Sequence, residues 1–245
     1  MPIPLKQAMK IGTYVMWQKL KGQERYPLVL MLEPLFRCNL ECIGCGKIQK
    51  PNEILNKNLT PDQCLDAANE CDAPVVSIAG GEPLMHPQIV EIVEGLIKQK
   101  RYIYLCTNAL LLKNFFGKLP ISPFLTLSIH LDGLEDDHDR IVDKKGVFKI
   151  AVESVREAKK MGYRVTSATT FFEGTTVEQA ETFLDFLNPL GLDGVTLSSA
   201  FRYPDAPDQD HFFGRKRTQE FFKELLEKNK KGRWDISHSP LYLEF

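Results

Sequence analysis

Short apolar strands and amphipathic helices alternate along most of this chain, and that alternation limits the fold more than any other feature of the sequence. Strands are predicted at residues 28–33, 75–79, 102–106, 125–130, 164–170 and 194–198. Helices are predicted at residues 61–71, 88–99, 110–116, 147–161 and 177–187. Because right-handed crossovers curl such a parallel sheet, the pattern predicts an α/β fold, a partial (β/α)6 TIM-like barrel over residues 28–200.

Segments of different character flank the predicted barrel. In the N-terminal extension, 1–27, residues 3–20 predict an amphipathic helix with several lysines, which either caps the open end of the barrel or lies on a membrane surface. Residues 201–217 are rich in Pro, Asp, Arg and aromatic side chains, which indicates a loop over the strand ends. A last helix at 219–228 and a strand at 241–245 complete the C-terminal extension, 201–245.

Charge and cysteine usage limit the compartment and the partners. The chain carries 31 basic and 32 acidic residues, a net charge of −1, so no global charge attracts nucleic acid. It has no apolar run long enough to span a bilayer and no secretory signal at its N-terminus. Three of the six cysteines are crowded together, which is more typical of metal binding than of disulfides. We therefore predict a cytoplasmic protein without a nucleic-acid partner.

The crowded cysteines, Cys38, Cys42 and Cys45, lie in the segment RCNLECIGCG, shortly after the first predicted strand. Thiolates are soft ligands for iron–sulfur clusters, zinc and copper(I). Three cysteines on a [4Fe–4S] cluster leave one iron open to a substrate, because four would ligate the cluster fully. The alternative is a structural zinc site in which His86 or His130 is the fourth ligand.

The Cys-x3-Cys-x2-Cys segment after the first strand and GGEP after the second resemble the radical S-adenosylmethionine superfamily over residues 28–200. The resemblance implies a [4Fe–4S] cluster on the three cysteines, S-adenosylmethionine chelated to the open iron, and an electron donor such as flavodoxin or ferredoxin. It also implies that the reduced cluster cleaves the sulfonium and releases a 5′-deoxyadenosyl radical. At Gly44 the chain departs from the pattern, because many members carry an aromatic residue there that packs near the adenine. We therefore expect open space beside Gly44 and a different adenine contact.

Further candidates for the cofactor site follow the other strands, because the carboxyl ends of parallel strands carry the reactive groups in such folds. Gly80 and Gly81 allow the backbone to approach a ligand closely, and the superfamily implies that Glu82 accepts a hydrogen bond from the methionyl ammonium; the alternative is a plain turn. Ser128 and His130 share one face of the fourth strand, either toward the cofactor or as a core pair. The remaining candidates are Asn108, Thr170 and Ser198.

Cys106 ends the third predicted strand, whereas Cys64 and Cys71 lie on a predicted outer helix. A thiol has a weak S–H bond and can donate a hydrogen atom to a carbon radical. Cys106 is therefore the candidate catalytic residue, and the alternative is a buried core cysteine.

Several longer segments narrow the resemblance. Five segments resemble the adenosyl-hopene transferase family of hopanoid lipid biosynthesis: LMLEPLFRCNLECIGCGKIQKP, SIAGGEPLMHP, CTNALLL, SIHLDG and APDQDHFFGR. This resemblance implies that the radical adds to the alkene of diploptene, a membrane hydrocarbon, to form adenosylhopane, and Cys106 would quench the resulting radical. Because the substrate lies in the membrane, the resemblance also favours a peripheral contact of residues 3–20 with the inner face of the cell membrane. Members of that family continue past residue 245 with further cysteines, so we expect a C-terminally short chain.

Two other functions stay open at this point. One is a different radical enzyme of the same superfamily, which abstracts hydrogen from a peptide or a small molecule. The other is a non-enzymatic zinc or iron–sulfur binding module. The reaction products distinguish another radical enzyme from an adenosyl transferase. The metal content, together with S-adenosylmethionine cleavage, distinguishes a binding module from either enzyme.

Overall fold

The computed structural model describes residues 3–207 and 209–237, in which six parallel strands form one sheet in sequence order. The strands are β1 (Val29–Leu32), β2 (Val75–Ile78), β3 (Tyr102–Thr107), β4 (Leu125–His130), β5 (Arg164–Phe171) and β6 (Val195–Ser199). Each crossover moves one strand further in the same direction, which curls a right-twisted sheet into a half-barrel. The predicted partial TIM-like barrel is confirmed.

Helices connect and flank these strands within the described residues. They are α1 (Leu5–Leu20), α2 (Asn52–Leu55), α3 (Pro61–Cys71), α4 (Ile89–Lys98), α5 (Glu135–Ile141), α6 (Val147–Met161), α7 (Val177–Leu187) and α8 (Arg215–Lys228). α3 and α7 begin at capping boxes, in which Thr60 and Thr176 pair reciprocally with a glutamine three residues later. Their bounds, like those of α6, are the predicted ones.

Four helical segments differ from the predictions, among them the four-residue α2, which was not predicted. The segment predicted as a helix at 110–116 contains only a 3-10 turn, Leu112–Phe115, and the left-handed backbone conformations of Ala109 and Gly117 interrupt helical geometry on either side of it. α5 was not predicted. α8 begins at Arg215, four residues before the predicted start. The strand predicted at 241–245 lies outside the described residues.

Side chains alternate between the two faces of the sheet. Leu105 and Leu127 pair in register and are fully buried in the apolar cluster that the outer helices complete. Their neighbours Cys106, Ser128 and Thr166 align across β3, β4 and β5 on the opposite, concave face. The interior of the half-barrel is therefore polar, and its apolar core lies between the sheet and the helices.

Helix α1 packs across the N-terminal edge of the sheet. The buried Gln7 donates a hydrogen bond to the hydroxyl of Tyr104 at 3.2 Å, and the Lys10 ammonium lies over the rings of Tyr102 and Phe124. This is the capping position that the sequence offered as one of two alternatives. Across residues 3–207 and 209–237, no helix combines the length and the apolar character needed to cross a bilayer.

Candidate functional site

The cysteine segment forms a loop beyond the carboxyl end of β1. Cys38 and Cys42 pack against the small apolar cluster of Leu40 and Val142, and the amide of Ile43 donates to a backbone carbonyl at the end of α5 at 2.8 Å. Burial, followed by the nearby Cys38 and Cys45 thiols, raises the pKa of Cys42; burial also raises the pKa of Cys38. Binding of a metal cluster by Cys38 and Cys42 would have to displace their protons.

The GGEP segment is hydrogen-bonded to the chain that enters this loop. The amide of Gly81 donates to the Leu35 carbonyl at 3.0 Å, and the amide of Glu82 donates to the Arg37 carbonyl at 2.8 Å. A Cβ on Gly81 would lie 1.9 Å from the Arg37 oxygen, and one on Gly80 would lie 2.2 Å from the Leu35 oxygen. The sequence predicted that the backbone of these glycines approaches a ligand closely. In the structure, the groups that come this close to them are the backbone carbonyls of Leu35 and Arg37.

The Glu82 side chain is buried and organises the end of β3. Its Oε1 accepts hydrogen bonds from the Leu84 amide at 3.0 Å and the Thr107 hydroxyl at 2.7 Å, and its Oε2 accepts one from the Asn108 amide at 2.8 Å. Burial raises the pKa of this carboxyl, while the three donors oppose that shift. Oε2 keeps acceptor capacity for one further donor.

Asn108 joins the end of β3 to the cysteine loop. Its Nδ2 donates to Oδ1 of Asn39 at 2.8 Å and lies 3.9 Å from Sγ of Cys38. The structure thus brings together the cysteines, GGEP and Asn108, which lie up to 70 residues apart in the sequence. Asn39 and Thr107 take part in this network and were not singled out from the sequence, although both adjoin predicted site residues.

His130 ends β4 and contacts a buried carboxylate. Its Nε2 is hydrogen-bonded to Oδ2 of Asp132, whose Oδ1 accepts a hydrogen bond from the Thr170 amide at 2.7 Å. Burial by itself would lower the pKa of His130, but the Asp132 carboxylate outweighs it and the pKa is raised. His138 contacts the backbone of Asp132, because its Nδ1 accepts a hydrogen bond from the Asp132 amide at 3.2 Å.

Cys106 points into the concave face beside two hydroxyl groups. Its Sγ lies 3.5 Å from Oγ of Ser77, and Ser128 is its register partner on β4. Burial raises the pKa of Cys106, so the thiol keeps its proton. Thr170 and Ser198 lie further along the sheet, where their hydroxyls contact each other at 3.2 Å. Ser77 was missed from the sequence; its alternation with Val76 was the available signal.

The loop predicted over the strand ends covers the cysteine loop. The Tyr203 hydroxyl donates to the Gly44 carbonyl at 2.7 Å and accepts from the Gly46 amide at 2.5 Å. The ring of Phe212 lies 2.8 Å from where a Cβ on Gly44 would stand. The expectation of open space beside Gly44 is therefore wrong, because an aromatic ring from a distant part of the chain occupies it.

The zinc alternative loses one of its two candidate histidines in the structure. Both ring nitrogens of the buried His86 are engaged, Nε2 with the Leu59 carbonyl at 2.8 Å and Nδ1 with the Gln88 amide at 3.1 Å, so His86 offers no lone pair to a metal. Over residues 3–207 and 209–237, no three His, Cys, Asp or Glu side chains are gathered around a single ion position. Soft thiolates on a glycine-containing loop remain the suitable ligands for a cluster.

Residues 32–187, more than half of the chain, match the Radical SAM superfamily. The chain belongs to the radical SAM superfamily. The cofactors of this radical SAM chain are accordingly a [4Fe–4S] cluster and S-adenosylmethionine. Residues 195–245 match a domain of unknown function (DUF3463).

Curated relatives of this radical SAM chain are identical to it at about a quarter of the aligned positions. It is 23% identical to a probable GTP 3′,8-cyclase of Methanococcus maripaludis (strain C7), over 86% of this chain and 73% of the relative. It is 27% identical to the GTP 3′,8-cyclase of Petrotoga mobilis, over 61% of this chain and 48% of the relative. It is 25% identical to the mycofactocin maturase MftC of Mycolicibacterium smegmatis, over 64% of this chain and 41% of the relative. Two of these three matches span less than half of the relative.

Solved structures share the fold of this radical SAM chain. Streptococcus suis SuiB bound to S-adenosylmethionine superposes with a TM-score of 0.75 at 16% identity, over 93% of this chain and 53% of SuiB. Methylornithine synthase (PylB) superposes with a TM-score of 0.63 at 17% identity, over 90% of this chain and 69% of PylB. These likenesses support the half-barrel architecture.

Proposed function

We propose that Cys38, Cys42 and Cys45 hold the [4Fe–4S] cluster and that the enzyme joins the adenosyl group of S-adenosylmethionine to the alkene of diploptene, giving adenosylhopane. The cyclase and maturase relatives do not carry this finer assignment. It rests on the chain's own motifs and on one observation, the Cys106 thiol on the concave face, 3.5 Å from Oγ of Ser77 and in register with Ser128. A radical addition needs a hydrogen donor for its product, and that thiol is positioned to be one.

The proposed step balances in atoms and electrons. The bound cofactors would supply a 5′-deoxyadenosyl radical by reductive cleavage of the sulfonium, which consumes one electron from the donor and releases methionine. Its primary carbon forms a C–C bond with the unhindered end of the alkene, and the double bond leaves an unpaired electron on the tertiary carbon. The Cys106 S–H bond breaks and its hydrogen atom completes the product. One electron from a reductant and one proton from water restore the thiol; a flavodoxin or ferredoxin is the electron donor we propose.

The remaining candidate residues have proposed positioning roles toward S-adenosylmethionine. Glu82 has acceptor capacity on Oε2 for the methionyl ammonium, and burial makes such a charge-assisted hydrogen bond strong. Gly80 and Gly81 hold Glu82 against the cysteine loop, as their contacts describe. The polar side chains of the concave face are proposed to contact the rest of the cofactor: Asn108, Ser128, His130, Thr170 and Ser198.

Helix α1 supports a peripheral contact with a lipid surface, at the amino ends of the strands and thus opposite the cysteine loop. Its solvent-exposed face carries the apolar side chains of Leu5, Met9, Met16 and Leu20, while a different face packs on the sheet. Residues 3–23 contain lysines and no acidic residue, which favours an anionic lipid surface. We therefore include peripheral membrane contact in the proposal.

The deciding experiment is anaerobic incubation of the reconstituted enzyme with S-adenosylmethionine, reductant and diploptene, followed by mass spectrometry of the lipid extract. We expect an adduct with the mass of adenosylhopane that requires all four components. The Cys38→Ala variant serves as the control for cluster-dependent chemistry. Stoichiometric free 5′-deoxyadenosine with no adenosylated lipid would contradict the proposal.

Peptide modification is the second candidate, because MftC is a maturase and SuiB has been solved bound to its precursor peptide SuiA. A hydrogen-abstracting enzyme releases free 5′-deoxyadenosine and needs no hydrogen donor at Cys106. The same incubation therefore separates the two candidates when a candidate peptide replaces diploptene.

A further inference from the structure

Cys45 lies between two glycines, and both glycines are contacted by residues more than 150 positions away in the sequence. Gly44 has a φ of +72°, a left-handed conformation that disfavours other residues. A Cβ on Gly46 would lie 2.5 Å from the backbone oxygen of Asp205. The tripeptide thus contributes no side chain of its own except the thiol, and other parts of the chain surround it.

The Tyr203 hydroxyl uses both of its hydrogen-bonding functions on this tripeptide. It donates to the Gly44 carbonyl at 2.7 Å and accepts from the Gly46 amide at 2.5 Å. One oxygen therefore spans the peptide groups on either side of Cys45. Two simultaneous hydrogen bonds restrict the backbone dihedral angles that direct the Cys45 side chain.

Phe212 fills the space that a side chain on residue 44 would occupy. Its ring is buried, lies 2.8 Å from the Cβ position of Gly44, and packs edge-on against the Tyr203 ring with centroids 6.1 Å apart. Phe212 belongs to a small apolar cluster with Ala200 and Ala206, which ties it to the end of β6. Asp205 adds an ion pair with Lys50, 2.7 Å long, at the far side of the cysteine loop.

From these contacts we infer that Tyr203 and Phe212 are positioning residues for the third cluster ligand, and that the segment matching the domain of unknown function orders the Cys45 backbone. The inference rests on the proposed placement of the cluster on Cys38, Cys42 and Cys45. A glycine-flanked ligand loses much conformational freedom when it binds a metal. Tyr203 and Phe212 restrict that freedom before the cluster arrives, which strengthens its retention.

The test removes one oxygen atom with Tyr203→Phe and compares it with Tyr163→Phe. Tyr163 is the matched control, because its buried hydroxyl also donates to a backbone carbonyl, that of Leu119 at 2.7 Å, on the opposite side of the sheet from Cys106. Two readouts are used: hydrogen exchange of the peptide covering residues 43–47 in the cluster-free chain, and the rate of iron loss to a chelator from the reconstituted chain. Tyr203→Phe removes two hydrogen bonds, so we expect both rates to rise at least about fivefold, the change that a single net hydrogen bond corresponds to.

The control Tyr163→Phe should leave both rates at the wild-type value even where it lowers the melting temperature. Phe212→Leu is the second variant, which keeps an apolar side chain in the cluster and should also accelerate exchange in residues 43–47. Wild-type exchange and iron retention in both Tyr203→Phe and Phe212→Leu would overturn the inference. Cys45→Ala separates the two proposals: if it retains the full iron content, the cluster placement itself is wrong, whereas loss of iron there with unaltered Tyr203→Phe and Phe212→Leu refutes only the positioning role.

Discussion

At the residue scale, the glycines of GGEP are the least replaceable positions. A Cβ on Gly81 would stand 1.9 Å from a backbone oxygen that cannot move without breaking the adjoining hydrogen bonds. Gly81→Ala should therefore lower the free energy of unfolding by ~3 kcal/mol, near the upper end for a single substitution. Urea denaturation measures this. Gly12→Ala is the control, since a Cβ there meets nothing within 4 Å and should leave stability equal or higher. A wild-type midpoint for Gly81→Ala would contradict the structure.

Cys106 separates two chemical events in the proposed reaction. Cys106→Ala removes the hydrogen donor but none of the proposed cofactor ligands, so sulfonium cleavage should continue while the yield of adenosylhopane falls or its stereochemistry changes. Quantifying both products in one anaerobic assay tests this. Cys64→Ala, at a fully buried cysteine of α3, controls for simple loss of a thiol. Unchanged yield and stereochemistry in Cys106→Ala would remove the role of that residue.

His138 gives the fold a pH dependence. Burial, followed by the nearby His130, lowers the pKa of His138 from 6.5 to about 4, so in this window the unfolded chain binds a proton that the folded chain excludes. Stability should therefore fall as the pH falls from 6.5 toward 4, with a contribution of up to ~3 kcal/mol from this residue. His138→Asn can still accept from the Asp132 amide and should show a shallower decline in urea titrations. Parallel curves for wild type and variant would refute the assignment.

At the scale of single elements, some helices follow from local sequence signals and others depend on tertiary contacts. α3 and α7 were predictable because each begins at a Thr cap with a Gln at the third helical position. α5, with the sequence EDDHDRI, has no apolar repeat, and its end is joined to the cysteine loop by the hydrogen bond from Ile43 to Ile141. The periodicity of apolar residues could not predict α5, because this helix is held by a contact with a distant loop.

The exposed apolar face of α1 leads us to predict that the chain binds lipid surfaces. The chain should bind vesicles that contain anionic lipid, and replacing both Leu5 and Met16 by Ser should weaken binding by about tenfold or more, because each side chain loses ~1–2 kcal/mol of burial in the interface. Co-sedimentation with vesicles of mixed phosphatidylglycerol and phosphatidylcholine measures this. Ile150→Ser, at an exposed position of α6, is the control. Equal binding of the double variant and wild type would exclude α1 as the contact.

At the scale of the whole molecule, the cluster should act as a cross-link. The cysteine loop is hydrogen-bonded to GGEP, to α5 and to the Tyr203 loop, so a cluster held by three cysteines stabilises contacts from four parts of the chain. The reconstituted chain should melt several degrees higher than the cluster-free chain, since a ligand that binds only the folded state raises its stability. Anaerobic calorimetry tests this, with the Cys38→Ala, Cys42→Ala, Cys45→Ala triple variant as the control. Identical melting of loaded and cluster-free wild type would argue against the proposed placement.

The sequence by itself determined the half-barrel, most element bounds and the order of the motifs along the strand ends, because strand and helix periodicity and motif spacing are local properties. Tertiary structure alone decided which groups meet: the pairing of GGEP with the cysteine loop, the hydrogen bond from the Thr170 amide to Asp132, and the placement of Phe212 where Gly44 has no side chain. These contacts join residues dozens to more than 150 positions apart, and no local pattern encodes such a pairing. They arise because parallel strands bring their carboxyl ends to one edge and the chain beyond β6 folds back over it.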